Sequence, residues 1–384
     1  MNYRKLFSIY KQENLFGRYI TLSHIEPILL NNFNKLNVSV IGKSVLENPI
    51  YKYQIGIGKT KIYLWSQMHG NESTTTKAVF DFINFLNSDD NFAQKIVKQF
   101  TFCILPMVNP DGAKLYTREN ANKVDLNRDA VNLSQPESVL LKEAFEDFKP
   151  NYCFNLHDQR TIFGVATTGK PATISFLAPS YNESKEYNVT RKVAANVIVA
   201  MNKELQKHTP GQVGRFDDGF NLNCIGDKFQ SLNVPTILFE AGHYPNDYNR
   251  EISRELIFIS LLSGLQYISE NDIVNNEIDD YLLIPQNNVC FYDIIYRNVK
   301  INYDGKEKIT NFAAQYKEEL INNKIEFNAY VVAIGNLKDT FSHLEYNANN
   351  NLYSDNEENI PKINQKADFI LDKTIKFVNG LKKV

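Results

Sequence analysis

Two spacings of apolar residues alternate through the first 270 residues or so. Lys61 to Gln67, Phe102 to Val108, Asn151 to Leu156 and Pro235 to Phe239 are short, nearly continuous apolar runs that read as buried strands. Between them the apolar positions fall at helical spacing. Ser73 to Asn87 carries Val79, Phe82, Ile83 and Leu86 on one face, and Ser184 to Lys207 carries Val193, Val197 and Met201. Ser134-Gln-Pro-Glu137 reads as a capping box opening a helix with Leu140, Leu141, Ala144 and Phe148 buried, and a further helix covers Arg250 to Ile268. Strands alternating with helices imply an α/β fold: a mixed, mostly parallel central sheet flanked by helices on both faces.

The polar segment Ser269 to Asp280 marks a boundary. Beyond it, Tyr281 to Pro285, Val289 to Tyr303 and Asn328 to Ile334 read as strands. Ile309 to Asn322 fits either a short helix or another strand pair, and Asn347 to Asn359 reads as an exposed loop. The expected organisation is a larger domain over 1–270 and a small β-rich accessory domain over 280–384.

The chemistry-bearing residues gather where the strand-like runs end. His69-Gly-Asn-Glu72 follows the first run, His157 follows Asn151 to Leu156, and Glu240 follows Pro235 to Phe239. Open α/β sheets bind ligands at the carboxyl ends of their strands. Two imidazoles and one carboxylate form a recognised catalytic zinc set, with a fourth position left for water. A histidine satisfied at the core edge, or a glutamate paired with Arg250, would be the bland alternative at each position. Asn109-Pro-Asp-Gly112 is a turn sequence. After it come Arg118 and Asp125-Leu-Asn-Arg128, where a guanidinium could grip a carboxylate in a planar fork, or Arg128 could pair internally with Asp125 or Asp129.

Taken in order, His69-x-x-Glu72, Asn109-Pro-Asp-Gly112, Arg118, Asp125-Leu-Asn-Arg128, His157 and Glu240 resemble the zinc metallocarboxypeptidase family typified by carboxypeptidase A, in its bacterial form. The resemblance covers roughly residues 20–265. It implies one Zn2+ per chain held by His69, Glu72 and His157, with Glu240 as general base and Arg118 stabilising the oxyanion. Asn127 and Arg128 would clamp the free C-terminal carboxylate of a peptide substrate, making the activity removal of a C-terminal residue. The mobile tyrosine of carboxypeptidase A has no counterpart in Gly214 to Cys224, where Phe216 and Phe220 are the only aromatic residues. In that stretch Arg215 would favour an acidic terminal side chain, and Asp217 or Asp218 a basic one. Two other readings use the same residues. One is an N-acyl amino acid amidohydrolase of the aspartoacylase and succinylglutamate desuccinylase group, although the chain continues after Arg128 with Asp129-Ala130-Val131 and not the Phe-Pro of that group. The other is a non-catalytic binder of peptide C-termini.

Composition narrows the setting. With 384 residues, 43% hydrophobic and a net charge of −2, the chain can bury a large core and shows no basic stripe for nucleic acid. No apolar run approaches the roughly 20 residues that span a bilayer, and the first twenty residues lack a signal-peptide pattern. Four cysteines at 103, 153, 224 and 290 show no metal-knuckle or disulfide spacing. A cytoplasmic protein without an activation segment is the expectation.

Overall fold

A computed structural model describes residues 1–32, 37–166, 168–271, 278–355 and 359–383. Part of the polar boundary, 272–277, and part of the asparagine-rich stretch, 356–358, lie outside the described residues. The chain divides into two compact units, Met1–Gln159 with Ala172–Asn287, and Arg160–Pro171 with Asn288–Val384.

In the first unit the elements run α1 (Tyr3–Tyr10), α2 (Leu22–Asn32), β1 (Val38–Lys43), β2 (Pro49–Gly56), β3 (Thr60–Ser66), α3 (Thr74–Leu86), α4 (Asn91–Gln99), β4 (Phe100–Leu105), α5 (Pro110–Leu115), α6 (Pro136–Phe148) and β5 (Tyr152–Asp158). The chain then leaves this unit for β6 (Phe163–Val165). It returns with β7 (Ile174–Leu177), α7 (Val189–Leu205), β8 (Val213–Arg215), α8 (Ile225–Ser231), β9 (Thr236–Ala241), α9 (Glu251–Glu270) and α10 (Asp279–Leu282). One eight-stranded sheet has the order β1-β2-β4-β3-β5-β9-β7-β8. The β4-β3-β5-β9 centre is parallel, and β1, β2 and β7 bring in antiparallel pairings.

Because side chains alternate along a strand, the central strands feed two cores. Ile62 and Leu64 of β3 join Phe154, Phe239 and the apolar faces of α3, α7 and α9. Tyr63 and Trp65 point the other way, into a cluster with Cys103, Cys153, Phe145 and Phe148 of α6 and Phe229 of α8. Both faces of the sheet are therefore covered by helices. Cys103 and Cys153 are small core residues, as their strand positions imply.

Local differences from the sequence reading have identifiable causes. The α6 N-cap is Gln135, with no side-chain cap bond, and no capping box forms. Glu137 instead accepts hydrogen bonds from the Val45 amide at 3.1 Å and Asn120 Nδ2 at 3.1 Å, so a tertiary demand takes the carboxylate. Tyr281 to Pro285 is not a strand: Asp279–Leu282 is a helical turn that buries the Tyr281 ring. Helix α7 starts later than Ser184, at Val189, where Asn188 caps Arg191.

The expected 1–270 and 280–384 division differs in its treatment of residues 160–171. That excursion hydrogen-bonds to later strands: the Cys290 and Phe291 amides donate to the Ile162 carbonyl at 3.1 and 3.0 Å, and Thr161 reaches Asp293. The second unit holds all but the first residue of β10 (Asn287–Val289), then β11 (Phe291–Tyr303), β12 (Lys306–Ile321), β13 (Lys324–Gly335), β14 (Phe341–Asn347), β15 (Tyr353–Ser354), β16 (Phe369–Leu371), β17 (Ile375–Val378) and β18 (Leu381–Lys382). Two four-stranded sheets, β13-β12-β11-β14 and β15-β16-β17-β18, share a core of Tyr296, Phe312, Phe369 and Phe377. The open reading of Ile309 to Asn322 resolves as the long strand β12.

A buried ionic network ties the N-terminal segment to the first unit. Arg254 is fully buried and grips Asp81 with Nε and Nη2, both at 2.7 Å, while donating to the Leu15 and Gln12 carbonyls at 2.6 and 2.8 Å. Removing one member of such a pair leaves an uncompensated charge in the interior. Arg254→Ala is expected to lower stability by roughly 3–5 kcal/mol, read from the denaturant midpoint. A change within experimental error would show that the network contributes nothing net.

Candidate active site

Ser66 ends β3, and the next six residues make a tight turn into α3, whose N-cap is Ser73. Four hydrogen bonds fix this turn. Gln67 Nε2 donates to the Ile20 and Gly70 carbonyls at 2.8 Å each, and Thr76 Oγ1 donates to Gln67 Oε1 at 2.9 Å. Ser73 Oγ donates to the Arg18 carbonyl at 2.5 Å. A Cβ on Gly70 would stand 2.0 Å from the Gly112 carbonyl carbon, so only glycine lets the turn lie against the Asn109 to Gly112 segment. Asn109 caps α5, accepting from the Gly112 amide at 2.8 Å, and its Nδ2 donates to the Met68 carbonyl. The Asn-Pro-Asp-Gly sequence is thus a brace for the turn.

His69 and Glu72 project from that turn toward His157 of β5. Glu72 Oε1 lies 2.8 Å from His69 Nδ1, and Oε2 lies 2.8 Å from His157 Nδ1. The two Nδ1 atoms are 3.1 Å apart. One ligand atom from each of the three buried residues falls within 4.8 Å of the others, a grouping that could hold a metal ion. Ligands at 2.0–2.1 Å from a tetrahedral zinc lie about 3.3 Å from one another, so the donor set and its spacing fit that ion. His69 turns its other nitrogen, Nε2, to Asp125 Oδ1 at 3.0 Å, an arrangement that fixes the tautomer presenting Nδ1.

His157 and Glu240 lie inside their strands, each one residue short of the end, rather than just beyond them. They are register partners across the parallel β5–β9 pair, which sets their side chains next to each other on one face. Asp158 turns to the opposite face and accepts from the Thr74 and Thr75 amides at 2.8 and 3.2 Å, while its own amide donates to Glu72 Oε2 at 3.1 Å.

The loop after α5 brings up the remaining groups. Arg118 Nε donates to Asp125 Oδ2 at 2.9 Å and its Nη1 lies 3.3 Å from Glu72 Oε1, so it borders the cluster directly. Asn127 Oδ1 accepts from the Ile225 amide at 2.9 Å at the start of α8. Arg128 pairs with neither Asp125 nor Asp129; its Nη1 donates to the Asn127 carbonyl at 2.7 Å and to Cys224 Sγ at 3.1 Å, and the side chain remains partly open to solvent. Asp129 is occupied by the Ser134 and Gln135 amides. Arg215 sits at the far edge of the sheet on β8, its guanidinium 5.5 Å over the Tyr281 ring, and among the described residues no hydrogen bond joins it to the cluster. Arg250 is buried with Nη1 on the Ala241 carbonyl and Nη2 on the Gln159 carbonyl, and does not neutralise Glu240 through a surface pair.

The carboxyl groups here are driven in opposite directions. Burial raises Glu72, but the charges and hydrogen bonds of His69 and His157 outweigh it and hold that carboxyl well below the usual range. Glu240 is pushed well above it, first by burial and then by the charges of Glu72 and Asp158. Asp125 is lowered despite burial, through its hydrogen bond to His69 and the charges of His69 and Arg118. Burial lowers His157, which keeps the imidazole neutral and able to donate a lone pair.

Residues 29–162 match the family model described as zinc carboxypeptidase. This segment contains His69, Glu72, Asp125 and His157 and ends before Glu240. Over 200 residues the chain is 28% identical to Probable carboxypeptidase 2 of Trichophyton verrucosum, covering 52% of this chain and 36% of that one. Carboxypeptidase SOL1 of Arabidopsis thaliana is 31% identical over 137 residues, 30% of this chain and 28% of that protein. The chain thus spans about a third of the length of these curated relatives. The solved structure of thrombin activatable fibrinolysis inhibitor shares the fold, with a TM-score of 0.51 at 13% identity over 70% of this chain and 80% of that one.

Asp125 is the functional neighbour that the spacing pattern did not single out, since nothing in the sequence says that it meets His69. Its removal frees His69 to rotate, so Asp125→Ala is expected to weaken zinc binding about 10–100-fold, measured by competition with a chromogenic chelator. Zinc affinity should also fall as pH drops through the histidine range, because protons compete for the same nitrogens. A flat profile would place the bound metal elsewhere.

Proposed function

We propose that the protein is a zinc-dependent carboxypeptidase that hydrolyses the C-terminal peptide bond of peptides. The observation that carries this reading is the convergence of His69, Glu72 and His157 beside a buried, high-pKa Glu240 fixed next to His157 by strand register. Zinc held by the three side chains supplies Lewis-acid polarisation and a water of lowered pKa.

The chain's own residues then have separate tasks. Glu240, a buried carboxyl pushed above the usual carboxylate range, takes a proton at one oxygen and returns it to the leaving nitrogen. Arg118 directs Nη1 toward the cluster, where it can donate to a carbonyl oxygen as negative charge builds there. Asn127 spends Oδ1 on the Ile225 amide, and among the described residues its Nδ2 makes no hydrogen bond, which leaves that donor available to a substrate beside the guanidinium of Arg128. Together they suit a terminal carboxylate, which restricts cleavage to the last residue. Arg215, at the sheet edge on Tyr281, is dropped from the substrate clamp in this proposal. The four free thiols support a reducing, cytoplasmic setting as part of the same proposal.

The test is release of free amino acids from short peptides by zinc-loaded protein. Stepwise C-terminal loss is expected, with none from C-terminally amidated peptides. Glu240→Gln should reduce kcat by about 10²–10⁴-fold with zinc retained. Hydrolysis of N-acyl amino acids with peptides untouched would transfer the site to the amidohydrolase reading. In a second measurement, Arg128→Ala should raise KM far more than it lowers kcat; an unchanged KM would remove Arg128 from the substrate clamp.

A further inference from the structure

The sheet face that carries Tyr63 and Trp65 is not fully covered. A cavity of about 400 Å³ opens between α6 and strands β1 to β4. That volume lies within the roughly 300–1,000 Å³ of small-molecule sites. Lys61, one of its lining residues, stands near the start of β3, whereas the metal-binding turn follows the end of that strand. At about 3.3 Å per residue, Lys61 and Ser66 are roughly 16 Å apart. The cavity is therefore distinct from the metal cluster.

Its charged groups are arranged by sign. Lys52 of β2 and Lys61 of β3 come from the sheet, and Glu143 and Asp147 come from α6. Lys61 is partly engaged, its Nζ donating to the Phe148 carbonyl at 3.0 Å and lying 5.4 Å over the Phe148 ring. Among the described residues the side chains of Lys52, Glu143 and Asp147 make no hydrogen bond or ion pair, although all three line the same space. Glu143 and Asp147 are four residues apart on the helix, so their like charges repel along one stripe until a cation sits between them. Ile41, Leu140 and Phe148 supply apolar wall.

Facing charges of opposite sign that do not meet are matched by a ligand carrying both. An ammonium would settle on Glu143 and Asp147, a carboxylate on Lys52, and a short apolar body against Leu140 and Phe148. We infer that this cavity between α6 and the sheet binds a zwitterionic amino acid or dipeptide with an apolar side chain. The inference is independent of the peptidase reading.

Isothermal titration of the zinc-loaded full chain tests it, with L-leucine, L-leucinamide, which lacks the carboxylate, and N-acetyl-L-leucine, which lacks the ammonium. L-leucine should bind, and each blocked analogue should bind at least tenfold more weakly. Lys52→Gln and the double variant Glu143→Gln/Asp147→Asn should weaken binding at least tenfold with an unchanged melting temperature, since these positions are partly exposed. Arg128→Ala should leave that binding intact. A dipeptide arm uses L-leucyl-L-leucine on Glu240→Gln protein, with leucine release followed by chromatography, to decide which zwitterion is preferred. No binding of either probe would overturn the proposal. So would loss of binding in Arg128→Ala with retention in the cavity variants, because that assigns the ligand to the metal cleft. Absence of peptidase activity alone leaves the titration unaffected, so the two readings fail separately.

Discussion

The register of three neighbouring parallel strands is the constraint on which the site rests. β3, β5 and β9 are hydrogen-bonded side by side, with Ser66 opposite Leu156 and His157 opposite Glu240. A slip of one residue would turn His157 and Glu240 into the opposite core and bring Leu156 and Phe239 to the site, exchanging buried apolar contacts for buried charge. Packing on both faces of the sheet therefore enforces the geometry of the chemistry. The same register explains why the ligand turn needs so many braces. Strand pairing fixes His157, but His69 and Glu72 lie beyond the ladder and depend on Gln67, Ser73 and the Gly70–Gly112 approach.

Two buried glutamates that both neighbour His157 behave as opposites because their partners differ. Glu72 faces two imidazoles and Arg118, which favour its charged form. Glu240 meets burial and the negative charges of Glu72 and Asp158, which favour its protonated form. Pairs of carboxyls pushed apart in this way divide into a fixed anion and a proton carrier. Asp125 completes the division by standing behind His69, where its charge orients the ring without entering the cleft.

The turn residues, α3 and the two-faced sheet were legible because each is written locally. The helix bounds differ by one residue at each end, and His69-x-x-Glu72 sits in the strand-to-helix turn. His157 and Glu240 were identified as residues but set one step too late, since a charged residue is naturally read as ending an apolar run even when the ladder continues beneath it. What escaped were demands made at long range. Glu137 had the spacing of a capping box but answers Val45 and Asn120, far away in sequence. Residues 160–171 carry no boundary signal because their partners, Cys290, Phe291 and Asp293, lie more than a hundred positions downstream. Tyr281 to Pro285 has strand composition, yet Tyr281 is held as a helical turn with its hydroxyl accepting from the Ala178 amide at 3.1 Å.

Helix α6 connects the two regions of the first unit that carry unspent polar groups. At its N-terminal end Gln135 and Glu137 hold Asn120, in the loop that presents Arg118 and Asp125. At its other end Glu143 and Asp147 face the cavity. In the same turn as Glu143 and Asp147, Phe145 stacks on Phe229 with centroids 3.9 Å apart and planes 8° from parallel, inside the Tyr63 and Trp65 core. A stacked contact of that kind resists sliding, because displacement opens voids that the surrounding rings cannot fill. Physical coupling between distant sites needs an element with two discrete packings, and α6 is anchored near its C-terminal end by this stack. The helix therefore acts as a fixed beam that serves both ends, and the loop bearing Arg118 inherits its position from the same aromatic core that closes the inner side of the cavity.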